Sequence, residues 1–161
     1  MSTNQYYQAI SHAETGGEKN PHIRTKSVPK DDISTAFGPV QITGSLAKGA
    51  HKAGYLKKSK DFYEKEMSPR YDRMKKADKK DARYYYGGDA EFDAKKHGKD
   101  YEVFAGEIMD GVEKEAKGDE TKFVEKWRGK TEKQDPEYYK RYREGRILKE
   151  TGDEMKRQLE R

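Results

Sequence analysis

Glu14 is the residue of this 161-residue chain best placed for acid chemistry, because it lies at the end of a short predicted helix. Gly16-Gly17 would end that helix, since glycine tolerates positive φ. The helix dipole presents negative charge at this end, so a carboxylate there favours its protonated form. Glu14 is therefore a candidate general acid, and an ordinary exposed glutamate is the alternative. The helix itself is predicted from apolar spacing at Tyr6, Tyr7, Ile10 and Ala13.

A second cluster, Ser34 to Ile42, is made of small and apolar residues with one polar side chain, Gln41. Gly38-Pro39 predicts a tight turn in a well-packed place. Gln41 and Thr15, the hydroxyl residue next to Glu14, are candidates for positioning Glu14 or a substrate. A hydrogen-bonded structural amide is the alternative for Gln41.

Helices must position these clusters, and capping residues predict where several of them begin. Thr43 can cap a helix through Leu46, Ala47 and Ala50 towards Gly54, and Asp135-Pro136 can open another. That last helix carries Tyr138, Tyr139, Tyr142 and Ile147-Leu148.

The clearest helical pattern lies between these two. One apolar face is predicted from Tyr101, Phe104, Ala105, Ile108, Met109, Val112 and Ala116. Gly118-Asp119 would separate it from a helix carrying Phe123, Val124 and Trp127, which Gly129 would end.

The fold class that follows is mainly α, with at most a short β-hairpin near residues 22–42. We expect a single domain over 1–161, because the length suits one core. Within it we expect a weakly organised basic elaboration at about 57–99 and a charged, frayed C-terminal tail from about 150.

Charge suggests an anionic partner. The formal net charge is +5, and 40% of residues are charged against 31% hydrophobic. Lys57 to Arg83, here the basic band, holds eleven Lys/Arg and six Asp/Glu. Such a band can bind nucleic acid, anionic lipid or acidic polymers of a bacterial wall, and a solvated helix face is the alternative. No recognised nucleic-acid motif accompanies it, so nucleic acid is the less favoured partner.

Several classes of site and location are disfavoured. Without cysteine there is no disulfide or thiolate metal site, and the four histidines lack ligand spacing, so no metal or cofactor is predicted. No apolar run approaches a membrane span. The N-terminus lacks the order of a signal peptide. A monomer is expected.

Together, the clusters resemble the lytic transglycosylase group of lysozyme-like enzymes. In that family a Glu-Ser pair ends a helix, as Glu14-Thr15 does here, and a Gly-Leu-Met-Gln segment follows, where this chain has Gly38-Pro39-Val40-Gln41. Val103 to Gly118 is similar to the family's long buried helix. The resemblance covers residues 5–55 and 100–145. Thr15 replaces Ser, Pro39-Val40 replaces Leu-Met, and Arg128 stands where Asn is common.

The resemblance implies cleavage of the β-1,4 bond between N-acetylmuramic acid and N-acetylglucosamine in peptidoglycan, with a 1,6-anhydro product. Glu14 would be the single acid and base, Thr15 and Gln41 would position it or the acetamido group, and Tyr138 or Tyr139 would line the sugar cleft. Simple core packing is the alternative for both tyrosines.

Three other functions stay open, one of which, a structural virion protein with a decayed enzyme fold, is weakly disfavoured by the intact Glu14. A hydrolytic lysozyme on the same fold would need a second acid, for which Asp31 and Asp32 are candidates. A basic binding module without catalysis would use the basic band. Enzymes of this kind occur in tailed phages, which implies a host cytoplasm before release to the wall, or a virion.

Overall fold

The computed structural model describes residues 3–15, 36–76 and 92–159, and this part of the chain is mainly helical, as predicted. Its only strand-like pairing is an antiparallel bridge between Phe37 and Ile42. The rest of the predicted hairpin region, 22–35, lies outside the described residues. The helical elements are α1 (Thr3–Thr15), α2 (Gly44–Lys52), α3 (Lys60–Phe62), a π-helical turn (Tyr63–Met67), α4 (Ser68–Lys76), α5 (Ala94–Ala116), α6 (Glu120–Arg128) and α7 (Pro136–Leu159).

The predicted helix boundaries are confirmed where a cap specifies them. Thr43 caps α2 by accepting from the Leu46 N–H at 3.2 Å. Asp119 caps α6 in the same way, and Gly129 ends it at φ 74°. Local side-chain chemistry therefore fixes these boundaries.

The predicted buried helix is confirmed as α5, with all seven predicted residues in the core. It starts earlier than the apolar pattern suggests, at Ala94. The reason is Asp93, whose carboxylate accepts from the N–H groups of Lys95 and Lys96 at 3.1 Å each. The first turns of α5 are exposed and polar, so apolar spacing gives no sign of them.

Helices α1 and α7 lie antiparallel and close together. His12 faces Glu144, while Glu14, further along α1, meets the earlier Tyr138 of α7. The close approach depends on Gly145, where an added Cβ would lie 2.8 Å from the His12 Cβ and 3.1 Å from the Ala9 Cα. This pairing sets the position of Glu14.

The segment from Lys60 to Lys76 is better organised than the sequence suggested. It is continuously helical, with the π-helical turn in its middle. Tyr63, Met67, Tyr71 and Met74 are buried in the common core. This part of the basic band is therefore integrated into the domain, while residues 77–91, including the predicted aromatic turn at Tyr84-Tyr85-Tyr86, lie outside the described residues.

The C-terminal tail is helical. Helix α7 continues to Leu159, and the expected fraying from Glu150 stays a prediction. From Ile147 onward the described residues of α7 are exposed, with Ile147 and Leu148 each at 61%. Among the described residues of α7, the three predicted tyrosines near its start and Gly145 are buried. None of the helices described here has the length and apolarity needed to cross a membrane.

Candidate active site

Glu14 lies in the last turn of α1, as predicted, and is partly buried. The neighbouring Ala13, with Ala9 and Ile10, is fully buried on the same helix. Because these small side chains hold α1 against the core, Glu14 is positioned by the helix instead of by a loop. Gly16-Gly17 lies outside the described residues.

The side chain of Glu14 meets a buried phenol. The Tyr138 hydroxyl donates to Glu14 Oε1 at 2.8 Å, and Tyr138 is only 1% exposed. Burial raises the pKa of Tyr138 well above its ordinary value, and the charge and hydrogen bond of Glu14 raise it further. Tyr138 therefore keeps its proton at any physiological pH and acts as a donor to Glu14.

Arg128 and Asp135 hold Tyr138 from its other side. The Arg128 guanidinium carbon lies 4.9 Å from the centre of the Tyr138 ring, within range of a cation–π contact. Its Nε and Nη2 donate to Asp135 Oδ2 at 3.0 Å and 2.9 Å. Asp135 Oδ1 in turn accepts from the Tyr138 N–H at 3.4 Å, as the predicted cap of α7. The four residues form a chain of contacts, here the Glu14 relay: Asp135, Arg128, Tyr138 and Glu14.

Electrostatics keeps Asp135 ionised in this relay. Partial burial alone would raise its pKa, but the hydrogen bonds from Arg128 and from the Tyr138 N–H lower it below the ordinary value. The sequence singled out Arg128 only as a departure from a family pattern. This contact could have been predicted in part from the sequence. Asp135, a capping aspartate seven residues after Arg128, places a carboxylate where the guanidinium can bind it.

The relay fixes one oxygen of Glu14 and influences its charge. A phenol that donates to a carboxylate stabilises the ionised form. The helix C-terminus works in the opposite direction. The expectation that Glu14 is protonated therefore stays a prediction. It requires the effect of the helix C-terminus to outweigh the hydrogen bond from Tyr138.

The turn containing Gln41 is held by aromatic side chains from three helices. Their polar atoms donate to three backbone carbonyls: Tyr101 to Phe37 at 2.7 Å, Trp127 to Val40 at 3.1 Å and Tyr71 to Ile42 at 2.8 Å. Burial raises the pKa of Tyr71 and of Tyr101, so both phenols remain donors.

Glycine is required inside this turn. Gly38 has φ 79°, and an added Cβ would lie 2.3 Å from the Tyr101 ring. The predicted tight turn is therefore confirmed, and it is rigid.

Gln41 lies in this turn with a left-handed backbone, at φ 51°. Its Nε2 donates to the Gly38 carbonyl at 2.8 Å, while its buried Oε1 accepts no hydrogen bond from the described residues. A buried acceptor left without a donor costs about 1–3 kcal/mol, which marks it as unusual. The structure does not join Gln41 to Glu14 by a hydrogen bond. Its predicted role at the substrate stays a prediction.

The other predicted substrate-binding side chains are engaged elsewhere. The Thr15 hydroxyl donates to the Ser11 carbonyl at 2.8 Å. Tyr139 is 3% exposed, and its hydroxyl donates to the Lys130 carbonyl at 2.8 Å. Since the rings of Tyr138 and Tyr139 are both buried, their arrangement fits the alternative of core packing and offers no ring face to a sugar.

Asp31 and Asp32, the candidate second acids, lie outside the described residues. Within the described ranges no three His, Asp or Glu side chains stand together as a metal site would require. Comparison with protein families, with curated proteins and with solved structures finds no match for this chain.

Proposed function

We propose that this protein cleaves the β-1,4 bond between N-acetylmuramic acid and N-acetylglucosamine in peptidoglycan, as a lytic transglycosylase with Glu14 as its acid and base. The observation that carries the proposal is the position of Glu14: a partly buried carboxylate at the C-terminal end of α1, held at 2.8 Å by a buried phenol.

In this mechanism protonated Glu14 donates to the glycosidic oxygen as the bond from that oxygen to C1 of the muramic acid breaks. The substrate's acetamido oxygen stabilises the cationic centre at C1. The C6 hydroxyl oxygen then bonds to C1, and its proton passes to Glu14, which restores the acid. General acid–base help of this kind contributes about 10²–10⁴-fold to a rate.

Tyr138 acts as a positioning residue in this account. Its hydroxyl holds Oε1, so the orientation of the carboxyl group does not depend on substrate. Its preference for ionised Glu14 assists the first half of the reaction, in which Glu14 gives up its proton, and makes the carboxylate a weaker base in the second half. The Arg128 and Asp135 contacts hold Tyr138 itself in place.

The test is digestion of purified peptidoglycan, with mass spectrometry of the fragments. Wild type should release anhydromuropeptides, Glu14→Gln should release none, and Glu137→Gln, an exposed glutamate on α7, should behave as wild type. Reducing-end muropeptides that depend on Glu14 would make the protein a lysozyme on the same site. Equal cleavage by wild type and Glu14→Gln, or none by wild type, would end the proposal.

A further inference from the structure

A second region of the molecule has the features of a ligand site and no part in the Glu14 relay. A cleft of about 770 Å³ lies between α2 and the helical segment from Lys60 to Lys76. Ligand pockets span roughly 300–1,000 Å³, so the size suits a bound molecule larger than a single ion. We call it the α2–α4 cleft.

Three lysines line this cleft: Lys48 and Lys52 from α2, and Lys75 from α4. All three are exposed, and none forms an ion pair with another described residue. Elsewhere the basic side chains Arg128, Arg143 and Arg146 pair with carboxylates. Unpaired ammonium groups that converge on one concave surface attract an anion, because the concavity concentrates their field.

Helical register brings the polar groups of the two walls together. Ser45, Lys48 and Lys52 lie one and two turns apart on one face of α2. Ser68 and Lys75 lie on one face of α4 at a spacing of two turns. Each wall thus presents hydroxyl and ammonium donors to the same space, and such donors match the acceptor oxygens of a phosphate group.

The carboxylates of the cleft are fewer than its cationic groups and are partly engaged. Glu64 approaches His51 Nε2 at 3.0 Å, which leaves Asp72 as the carboxylate without an ion-pair partner among the described residues. Glu64 lies in the π-helical turn, and turns of this kind are often found at functional sites.

We infer that the α2–α4 cleft binds phosphate groups of an acidic, polyol-phosphate type of polymer. The aromatic residues decide against nucleic acid as the ligand. Tyr63 and Tyr71 line the cleft but are only 7% and 6% exposed, and the Tyr71 hydroxyl is committed to Ile42. Neither of these rings, the tyrosines among the described lining residues, offers a face for base stacking, which single-stranded nucleic-acid sites use.

This choice of polymer rests on the proposed function, since bacterial walls carry acidic polymers of this class. It also relocates the predicted anion contact. Within the described part of the basic band, up to Lys76, Lys75 is the lysine that lines the cleft, while Lys48 and Lys52 lie before the band. The sequence missed them because two lysines on α2 do not form a charge run.

The test measures binding of a synthetic glycerol-phosphate oligomer to the full chain by fluorescence titration at low ionic strength. The cleft variant is Lys48→Gln with Lys52→Gln and Lys75→Gln. The matched control replaces three exposed lysines outside the cleft: Lys114, Lys122 and Lys140. Oligothymidylate and hyaluronate, a polycarboxylate, are the comparison ligands.

We expect the cleft variant to bind the glycerol-phosphate oligomer about tenfold more weakly than the control, and high salt to remove the difference. Equal affinities of the two variants, or no binding by wild type, would overturn the site. Tighter lysine-dependent binding of oligothymidylate would replace the polymer by nucleic acid, and equal binding of hyaluronate would overturn phosphate as the recognised group. Glu14→Gln should bind as wild type does, so failure of digestion leaves this result untouched.

Discussion

The Glu14 relay and the α2–α4 cleft satisfy their charges in opposite ways. In the relay, Arg128 pairs with Asp135, Glu14 accepts from Tyr138, and the phenol itself is buried. In the cleft, Lys48, Lys52 and Lys75 line an open space and have no carboxylate partner among the described residues. The relay is therefore built to hold one side chain in a fixed place, and the cleft to leave its charges available.

Energetics explains why the two designs differ. A buried phenol or guanidinium without a partner costs stability, so the relay must be complete before any ligand arrives. Exposed lysines remain hydrated and cost little when unpaired. A catalytic group needs the first arrangement, and a site for a polymer that binds and releases needs the second.

The largest effect should come from Glu14→Gln. The amide keeps an oxygen that can accept from Tyr138, so the fold should persist, but it can neither donate nor take up the reacting proton. We expect a loss of about 10²–10⁴-fold in the rate of glycan cleavage. The rate of release of soluble fragments checks this, with circular dichroism to confirm an unchanged fold. A loss under threefold would remove Glu14 from the mechanism.

Next in size is Gly145→Ala, which tests the helix pairing that positions the relay. The new Cβ would lie 2.8 Å from the His12 Cβ and 3.1 Å from the Ala9 carbonyl oxygen, so α1 and α7 must separate. We expect a loss of about 1–3 kcal/mol in the free energy of unfolding, measured in urea, and a lower cleavage rate.

The matched control for this variant is Gly152→Ala, on the same helix with nothing within 4 Å of the added Cβ. It should stabilise the protein, by up to about 1 kcal/mol, because alanine favours helix over glycine. Equal effects of the two substitutions would show that the close crossing does not matter.

Tyr138→Phe separates positioning from packing within the relay. The ring remains but the donor to Glu14 is lost, so we expect a loss of about 1 kcal/mol in stability and a cleavage rate about tenfold lower. Because the phenol favours ionised Glu14, the alkaline limb of the pH–rate profile should also move to higher pH.

Tyr142→Phe is the control for the relay, since Tyr142 is another buried tyrosine of α7 that donates to a glutamate, Glu120, at 2.6 Å. It should lose similar stability with no change in the pH–rate profile. A profile that shifts in both variants, or in neither, would contradict the positioning role of Tyr138.

The smallest effect concerns the start of the segment that lines the cleft. Glu107 accepts from the backbone N–H groups of Lys57, Lys58 and Ser59 at 2.9, 3.1 and 2.7 Å. Burial would raise the pKa of Glu107, but these hydrogen bonds outweigh it and lower the pKa below its ordinary value.

Because the folded-state pKa of Glu107 is lowered, its contribution is present above the unfolded value, about 4.3, and is lost as pH falls through the folded value. Glu107→Gln should therefore cost about 1 kcal/mol at pH 7 and less at pH 3, measured by urea unfolding at each pH. The same cost at both pH values would mean that the charge of Glu107 contributes nothing.

Sequence reasoning succeeded where one residue fixes a local outcome. Thr43 and Asp135 cap the helices they were expected to cap, Gly118-Asp119 separates α5 from α6 as expected, and Gly129 ends α6. The apolar face of α5 was also predictable, because its seven apolar residues recur at the spacing of one helix face. Capping and amphipathic periodicity are local properties, so they can be read without knowing the partner.

What sequence reasoning missed depends on contacts between distant segments. Nothing local indicates that the Tyr138 hydroxyl meets Glu14, since 124 positions separate the two residues. The π-helical turn and the burial of Met67 likewise follow from packing, so a lysine-rich segment seemed weakly organised when it is part of the core. The cleft was missed because its lysines come from two separate helices.

The most direct test of the central claim measures binding and cleavage on the same purified peptidoglycan with its acidic polymers attached. Glu14→Gln should bind as wild type does and release no anhydromuropeptides. The triple substitution of Lys48, Lys52 and Lys75 by Gln should bind weakly at low salt yet cleave normally once enough protein is added. If Glu14→Gln cleaves like wild type, or if each variant loses both binding and cleavage, the division between a catalytic site at Glu14 and a separate binding site in the α2–α4 cleft is wrong.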